Sequence, residues 1–326
     1  MHDGAGSPTA ASPHQPAGVS VPAPGRTLLD ILRLSTDYLA RHGSSSPRLD
    51  AELLLAQVLG LRRIDLYLQF DRPLRDEELA DARELVRRRG TGEPVAYLTG
   101  RREFYGREFR VSRDVLIPRP ETETLVERAL MWARRVAGEE RTGLRIADLG
   151  TGSGCIACTL AAELPGAVVV GTDASSAALE VAAANAARLG LHERVRLVLR
   201  DWTAPPDDVD ERFDMIVSNP PYVTTGELEE LARDVRCFEP PSALDGGEDG
   251  LSAYRGLLPF AAGAMATPGY LAVEVDPRRA AAVAALIASA LPDSDPVVVS
   301  DLAGQPRVVE VAVRSGPWRR ERVASD

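Results

Sequence analysis

The sequence contains no lysine: all 38 basic residues are arginine, set against 48 Asp and Glu, for a formal charge of −10 over 326 residues. No lysine amine is therefore available as a base. A chain this acidic also lacks the basic footprint that gripping duplex nucleic acid requires. Arg87-Arg88-Arg89 and Arg101-Arg102 are short local exceptions, and the first reads as the solvated end of a helix. Cysteine is scarce: Cys155, Cys158 and Cys237 exclude a disulfide framework. Cys155-Ile156-Ala157-Cys158 has redox-motif spacing, but it follows a Gly-rich loop at an expected helix start, where free Cys is usually a small apolar residue. The four histidines are scattered, so neither a metal site nor a His-based nucleophile triad is expected. No apolar run approaches the roughly 18 to 20 residues of a membrane span. Met1 to Gly25 is rich in Pro, Ala, Gly and Ser and has no basic start followed by an apolar stretch. It reads as a flexible tail rather than a signal peptide, which gives a cytoplasmic expectation with no membrane partner.

What is present is enough chain for two domains, 44% of it apolar. The most informative stretch is Ser218-Asn219-Pro220-Pro221-Tyr222, directly after the apolar run Phe213-Asp214-Met215-Ile216-Val217. That run reads as a buried strand, and the two prolines forbid further ladder. The tetrapeptide therefore sits at a strand's carboxyl end, where open α/β sheets bind ligands. Asn219 offers an acceptor oxygen, Pro220 a carbonyl without an N–H, and Tyr222 a flat aromatic face. Such a corner suits a planar, conjugated –NH2 group gripped by its two hydrogens. The nitrogen of that group is a poor nucleophile, and two acceptors both orient it and favour the positive charge that develops on it during attack.

From Thr27 to about Gly90 the pattern is helical, with a stop at Gly43, a restart at Ser46-Pro47, and a further helix over Glu77 to Arg89. Nothing there looks catalytic, and recognition of a partner or support is the expected work. Glu103 to Val111 reads as a hairpin joining two domains. Val115-Leu116-Ile117-Pro118-Arg119-Pro120-Glu121-Thr122-Glu123 cannot be helical throughout, and its acids suit the first turn of a helix running to about Ala137. Leu144 to Leu149 is a strand that Gly150-Thr151-Gly152-Ser153-Gly154 turns into a helix over Cys155 to Glu163. Glycines there let a ligand approach the backbone. The next strand, Ala167 to Thr172, ends in Asp173, where an acid commonly holds ribose hydroxyls. Cys155 stands where a pyrophosphate-binding fingerprint has its third glycine, which favours a nucleoside without a pyrophosphate. Ser175 caps a helix to about Leu189, and Val195 to Leu199 is a third strand. Arg200-Asp201-Trp202 at its end offers an acid and an indole to an adenine ring. After Tyr222 the pattern gives a helix to about Val235, a Pro/Gly-rich loop over Phe238 to Gly247 and a helix to about Ala266. A strand Tyr270 to Val275, a helix Arg278 to Ala290 and strands near Val297 to Ser300 and Val308 to Val313 follow. This alternation predicts a mostly parallel sheet with helices on both faces and an antiparallel last strand.

These motifs together resemble the N5-glutamine methyltransferases of peptide chain release factors, the PrmC/HemK family. The matching residues are Leu116 to Glu123, Asp148 to Ala157, Ser218 to Tyr222, Glu239-Pro240, and Ala243 to Leu251. The likeness covers roughly Leu28 to Val313. It implies a seven-stranded S-adenosylmethionine-dependent methyltransferase sheet (Rossmann-like α/β) behind a small helical amino-terminal domain. The boundaries are a tail 1–25, a helical domain 26–92, a hairpin linker 93–112, a methyltransferase domain 113–315 and a tail 316–326. By resemblance Gly150, Thr151, Gly152, Ser153, Gly154, Asp173, Trp202 and Asn219 contact S-adenosylmethionine. Asn219, Pro220, Pro221 and Tyr222 hold the acceptor glutamine, with Asn219, Pro220 and Tyr222 as the catalytic set and no metal. Glu274-Val275-Asp276-Pro277-Arg278 departs from the family, which usually has a glycine shortly after the glutamate and a glutamine nearby.

The implied reaction is in-line transfer of a sulfonium methyl to the side-chain amide nitrogen of a glutamine, in the Gly-Gly-Gln motif of release factors. The expected enzyme is a monomer acting on a protein, with no nucleic acid partner. Two alternatives share the tetrapeptide's chemistry: a glutamine methyltransferase of a ribosomal protein, and an N6-adenine DNA methyltransferase. Charge and the lack of a target-recognition region speak against the second.

Overall fold

The computed structural model describes residues 26–137, 143–201, 211–292 and 294–313, and the chain divides into two compact units, Met1–Gly90 and Thr91–Asp326. In the smaller unit α1 (Leu28–Arg41), α2 (Pro47–Leu59) and α3 (Asp76–Gly90) pack on one another. A capping box starts α1: the Thr27 hydroxyl accepts from Asp30 N while the Asp30 carboxylate accepts from Thr27 N. Pro47 opens α2, yet Ser46 makes no side-chain cap bond. Instead Ser44 Oγ donates to Asp50 at 2.7 Å and accepts from Ser46 N at 3.2 Å. Asp50 also accepts from Arg89 Nε at 2.7 Å, and Arg87 forks onto Glu84. At least two members of the arginine run at the end of α3 are thus committed to carboxylates.

The larger unit opens with α4 (Val95–Thr99), a single turn too short to show periodicity in the sequence. A hairpin follows, β1 (Arg101–Phe104) and β2 (Arg107–Arg110), whose two-residue turn places Tyr105 and Gly106 at φ 51° and 69°. Then come α5 (Glu123–Ala137), β3 (Arg145–Leu149), α6 (Cys155–Glu163), β4 (Val168–Asp173), α7 (Ser176–Arg188), β5 (Val195–Leu199) and β6 (Phe213–Ser218). The remainder is α8 (Arg233–Phe238), α9 (Ser252–Ala264), β7 (Met265–Glu274), α10 (Ala280–Ala290), β8 (Val297–Ser300) and β9 (Pro306–Val313).

The seven-stranded sheet runs β5-β4-β3-β6-β7-β9-β8, parallel except for β9, which is antiparallel to both neighbours. Alternate residues of the central strands feed opposite cores, as a two-residue period demands. Ile146, Met215, Val217, Tyr270 and Ala272 pack with α5 and α6, while Ala147, Leu149, Ile216, Leu271 and Val273 pack with α9 and α10. Two elements differ from the sequence pattern. The helix expected between Tyr222 and Val235 is a short 3₁₀ turn at Glu227–Glu230 and then α8, separated by extended backbone at Leu231 and Ala232. The carboxylate of Glu227 accepts from Thr224 N, Arg278 and Arg279, and these bonds fix the chain where a helix would otherwise propagate. Strand β7 also begins earlier than its apolar run, because Met265 pairs with Phe213 across an irregularity ahead of the regular ladder.

Candidate active site

From β3 the chain winds outward through β4 and β5, and then β6 returns to the other flank of β3. The carboxyl ends of β3 and β6 therefore form the switch point where an open α/β sheet leaves a crevice. Ser218 Oγ donates to Leu149 O at 2.6 Å and pins the two strand ends together. A cleft of about 340 Å³ opens above them, a size suited to a small-molecule cofactor.

One wall is the glycine loop. Gly150 N and Thr151 N both donate to Thr172 O, so the loop leaves β3 still tied to β4. Gly152 has φ +54°, and a Cβ built there meets only the Gly150 carbonyl at 3.9 Å, so bare backbone faces the cleft. Gly154 serves packing instead: a Cβ there lies 3.1 Å from Ala182 Cβ on α7. Beneath the loop Asp148 is fully buried; its Oδ2 accepts from Thr151 Oγ1 at 2.7 Å and Ala157 N at 3.0 Å. The second of these satisfies one of the unpaired donors of the first turn of α6. Asp148 Oδ1 has no partner among the described residues, and burial pushes the carboxyl up to about 7. Burial likewise pushes the Cys155 and Cys158 thiols up to about 12, which keeps them protonated and leaves the redox spacing without a thiolate.

At the end of β4, Asp173 Oδ2 accepts from Gly152 N and Oδ1 from Ser175 N, both at 2.9 Å. A carboxylate has about four acceptor sites, so two remain for a ligand in the cleft, which Asp173 lines. Arg200 and Asp201 line it too, whereas Trp202 lies outside the described residues.

The facing wall is the tetrapeptide. Asn219 lines the cleft, and its Nδ2 donates to Thr122 Oγ1 at 3.1 Å. That bond fixes which end of the amide is occupied and leaves Oδ1 for a ligand. Pro221 also lines the cleft, while Pro220 is buried and Tyr222 packs towards the α9–α10 core. Burial pushes the Tyr222 phenol above its ordinary range, so it stays neutral. Behind the tetrapeptide, Val223 N donates to Leu244 O and Gly246 N to Val223 O at 2.7 Å, so the Pro/Gly-rich loop forms its backing.

The third wall is the proline loop. Leu116, Pro118 and Arg119 line the cleft, and Glu239 clamps the loop. Its Oε2 accepts from Ile117 N at 3.1 Å and its Oε1 from Arg119 Nη2 at 2.5 Å. Burial pushes the Glu239 carboxyl up, although Arg119 beside it pulls it back. Glu123, which the sequence suggested only as a first-turn acid, accepts from Tyr105 N at 2.8 Å and ties α5 to the hairpin.

Of the sequence-predicted residues, Gly150, Thr151, Gly152 and Ser153 thus share one cleft with Asp173, Asn219 and Pro221. Gly154, Pro220 and Tyr222 do not line it. Asp148, Thr122, Glu239 and Glu274 escaped the sequence reading, and all four are buried polar residues beside the cleft walls. Each stands inside a stretch already singled out: Asp148 ahead of the glycine loop, Thr122 after the two prolines, Glu239 beside Pro240, and Glu274 at the head of the segment that departs from the family. The unusual Asp276-Pro277-Arg278 segment has a local explanation: Asp276 Oδ1 accepts from Arg278 N at 2.8 Å, and Arg278 and Arg279 both reach Glu227, bracing the loop behind the tetrapeptide.

Two family models match the chain: "PrmC N-terminal domain" over residues 30–100 and "Methyltransferase small domain" over residues 135–235. Among curated proteins, a release factor glutamine methyltransferase of Geobacter sulfurreducens is 45% identical over 76% of this chain and 84% of its own length. Proteins of the same name from Rhodopirellula baltica and Bradyrhizobium diazoefficiens are 40% and 42% identical, over 87% and 89% of this chain and 96% of theirs.

Proposed function

Because this chain belongs to the release factor glutamine methyltransferase family, we propose that it methylates the side-chain nitrogen of the glutamine in a release factor's Gly-Gly-Gln motif. S-adenosylmethionine is the proposed cofactor. Bound in the cleft, it supplies an electrophilic methyl on a cationic sulfur that departs neutral. The residues present fit such a ligand: a bare glycine backbone at Gly152, an acid with spare acceptor capacity at Asp173, and an apolar wall at Leu116 and Pro118.

The observation that carries the reading is Asn219. Its Nδ2 is spent on Thr122, so Oδ1 is the atom left to accept a hydrogen from the incoming amide, and the Pro220 carbonyl is the proposed second acceptor. Two acceptors on one –NH2 hold the nitrogen in line and favour the positive charge that grows on it. Attack of the neutral amide nitrogen on the methyl would give an N-methylated cation, a strong acid that loses one N–H proton to water to leave the neutral methylamide, so no strong base is needed. Tyr222, neutral and half-buried, is assigned to shaping the acceptor site. Arg119, fixed by Glu239, keeps the proline loop closed against water.

Residues 26–92 are assigned to acceptor recognition or support, with 93–112 as a linker to the catalytic domain 113–315. We further read the enzyme as a cytoplasmic monomer in translation termination that acts on protein rather than nucleic acid. The acid excess supports this, and no helix among the described residues is long and apolar enough to cross a membrane. Incubation with methyl-labelled S-adenosylmethionine and release factor, ribosomal proteins or DNA, followed by mass spectrometry, tests the proposal. Label on the release factor glutamine is expected; label confined to ribosomal protein or adenine overturns it.

A further inference from the structure

The buried face of α7 is built from Ala178, Ala182, Asn185 and Ala186, and Asn185 is its one polar member. Alanine there lets neighbours come close: Ala178 lines the cleft and Ala182 abuts Gly154. Asn185 is fully buried, and its amide is spent on two backbone segments. Nδ2 donates to Ser153 O at 2.8 Å and to Arg110 O at 2.9 Å, while Oδ1 accepts from Arg110 N at 2.7 Å. Both Nδ2 hydrogens are used. Turning the amide over would set –NH2 against an N–H and oxygen against two carbonyls. Asn185 does not line the cleft, and nothing in the reaction proposed above uses it.

Its two partners lead to different walls. Ser153 belongs to the glycine loop, and its carbonyl shares a peptide unit with Gly154 N, which donates to Thr151 O at 2.8 Å. That unit is therefore gripped at both ends. Arg110 ends β2. Tyr105-Gly106 makes the hairpin turn and Val111 N donates to Gly100 O at 3.1 Å, so the rung Arg101↔Arg110 is of the non-hydrogen-bonded kind. The N–H and C=O of Arg110 thus point off the open edge of the hairpin, and the Asn185 amide takes both, as a further strand would. From Arg110 the chain continues through Val111 and Val115, which pack with Ala178, to Leu116 and Pro118 in the proline-loop wall.

We propose that Asn185 is a positioning residue for the cofactor: without touching the ligand, it ties the glycine loop to the strand that leads into the proline loop, so that both walls are ordered when the cofactor arrives. The inference rests on the reading of this cleft as the S-adenosylmethionine site and adds the residue that preorganises it. An apolar side chain of similar shape leaves Ser153 O and both Arg110 groups without the partner they have here. The loop then gains freedom that binding must remove. Asn219 and Thr122 hold the facing wall by a bond of their own, so the loss falls on cofactor affinity and not on the transfer step.

Asn185→Leu in the full chain tests this. Its Kd for S-adenosylhomocysteine, by calorimetry, should rise about tenfold or more, the order set by having to fix the backbone of one further residue on binding, while kcat for release factor methylation at saturating cofactor stays within about threefold of wild type. Ile287→Ala is the control, a truncation in the α9–α10 core that lowers stability and should keep the wild-type Kd. A wild-type Kd in N185L, or an equal rise in I287A, overturns the proposal, because a merely structural Asn185 would act as any other buried residue does. Amide exchange in the wild type gives a second test that does not depend on a variant folding. Saturating S-adenosylhomocysteine should slow exchange at Arg110 N, which donates to Asn185, several-fold more than at Val111 N, which is bonded inside the hairpin. Equal slowing at both overturns the proposal. If the wild type binds neither S-adenosylmethionine nor S-adenosylhomocysteine, the cofactor reading fails, and ligand-free exchange decides the brace: N185L should speed exchange at Gly154 N as well as at Arg110 N, and an unchanged Gly154 N overturns it.

Discussion

Gly246 lies against the tetrapeptide with only backbone around it, and Gly246→Ala probes that backing directly. A Cβ at this position falls 2.9 Å from the Pro221 carbonyl oxygen, 2.9 Å from Tyr222 Cα and 3.0 Å from Gly250 Cα. All three are backbone atoms, so no side chain can swing away. Ordinary contact begins at 3.4 Å, so the Pro221–Tyr222 segment and the loop must part by 3.4 − 2.9 = 0.5 Å. The loop cannot supply the whole movement, because Gly246 N is bonded to Val223 O at 2.7 Å and Ser252 N to Gly246 O at 2.9 Å. Overpacking of this kind costs about 1–3 kcal/mol of stability. A misplacement of ~1 Å at a reacting centre costs about 100-fold in rate, so half of that should cost about tenfold in kcat. Gly226→Ala is the control: its Cβ meets nothing within 4 Å and its φ is −69°, so stability and rate should hold. Urea unfolding followed by tryptophan fluorescence reports on the larger unit, since Trp132, Trp202 and Trp318 all belong to it. Methyl transfer at saturating cofactor gives kcat. If Gly246→Ala folds with wild-type kcat, the loop does not position the tetrapeptide.

Three further outcomes are expected. Asn219→Ala should leave the fold intact and lower methyl transfer by about 2–4 kcal/mol, the cost of one oriented hydrogen-bonding group; an unchanged rate at saturating cofactor removes Asn219 from the chemistry. Asp173→Ala should weaken cofactor binding, both by losing acceptor capacity and by releasing Gly152 N, and calorimetry giving wild-type affinity removes Asp173 from the site. Asp148→Asn should change how stability depends on pH. The Asp148 carboxyl titrates near 7 folded against an ordinary 3.8, so the folded state holds the extra proton in that window. Its contribution then falls by about 1.4 kcal/mol per pH unit, about 4 kcal/mol in all, and stays flat above neutrality. The variant lacks that slope, so its stability relative to wild type should rise from pH 4 to pH 7; a difference that does not vary with pH refutes the buried-charge account.

The local chemistry of this protein was legible in its sequence because it is written in residues with few conformational options. Two prolines after an apolar run can only end a strand, glycines after Leu149 can only turn, and strands alternating with helices can only build a largely parallel sheet. Those constraints located the walls of the cleft at Gly150–Ser153, at Asp173 and at Asn219 without coordinates. They did not reveal α4, too short for a period, or the broken helix after Tyr222, where Glu227 answers to arginines some fifty residues away.

Pairings across the chain were decided by tertiary structure alone. Thr122 meets Asn219 97 positions on, and Glu239 meets Ile117 122 positions back. No spacing rule reaches that far, since the partner of a buried carboxylate depends on which strand ends the sheet order makes adjacent. Sequence specified which groups need partners; the winding of β6 back onto β3 selected them.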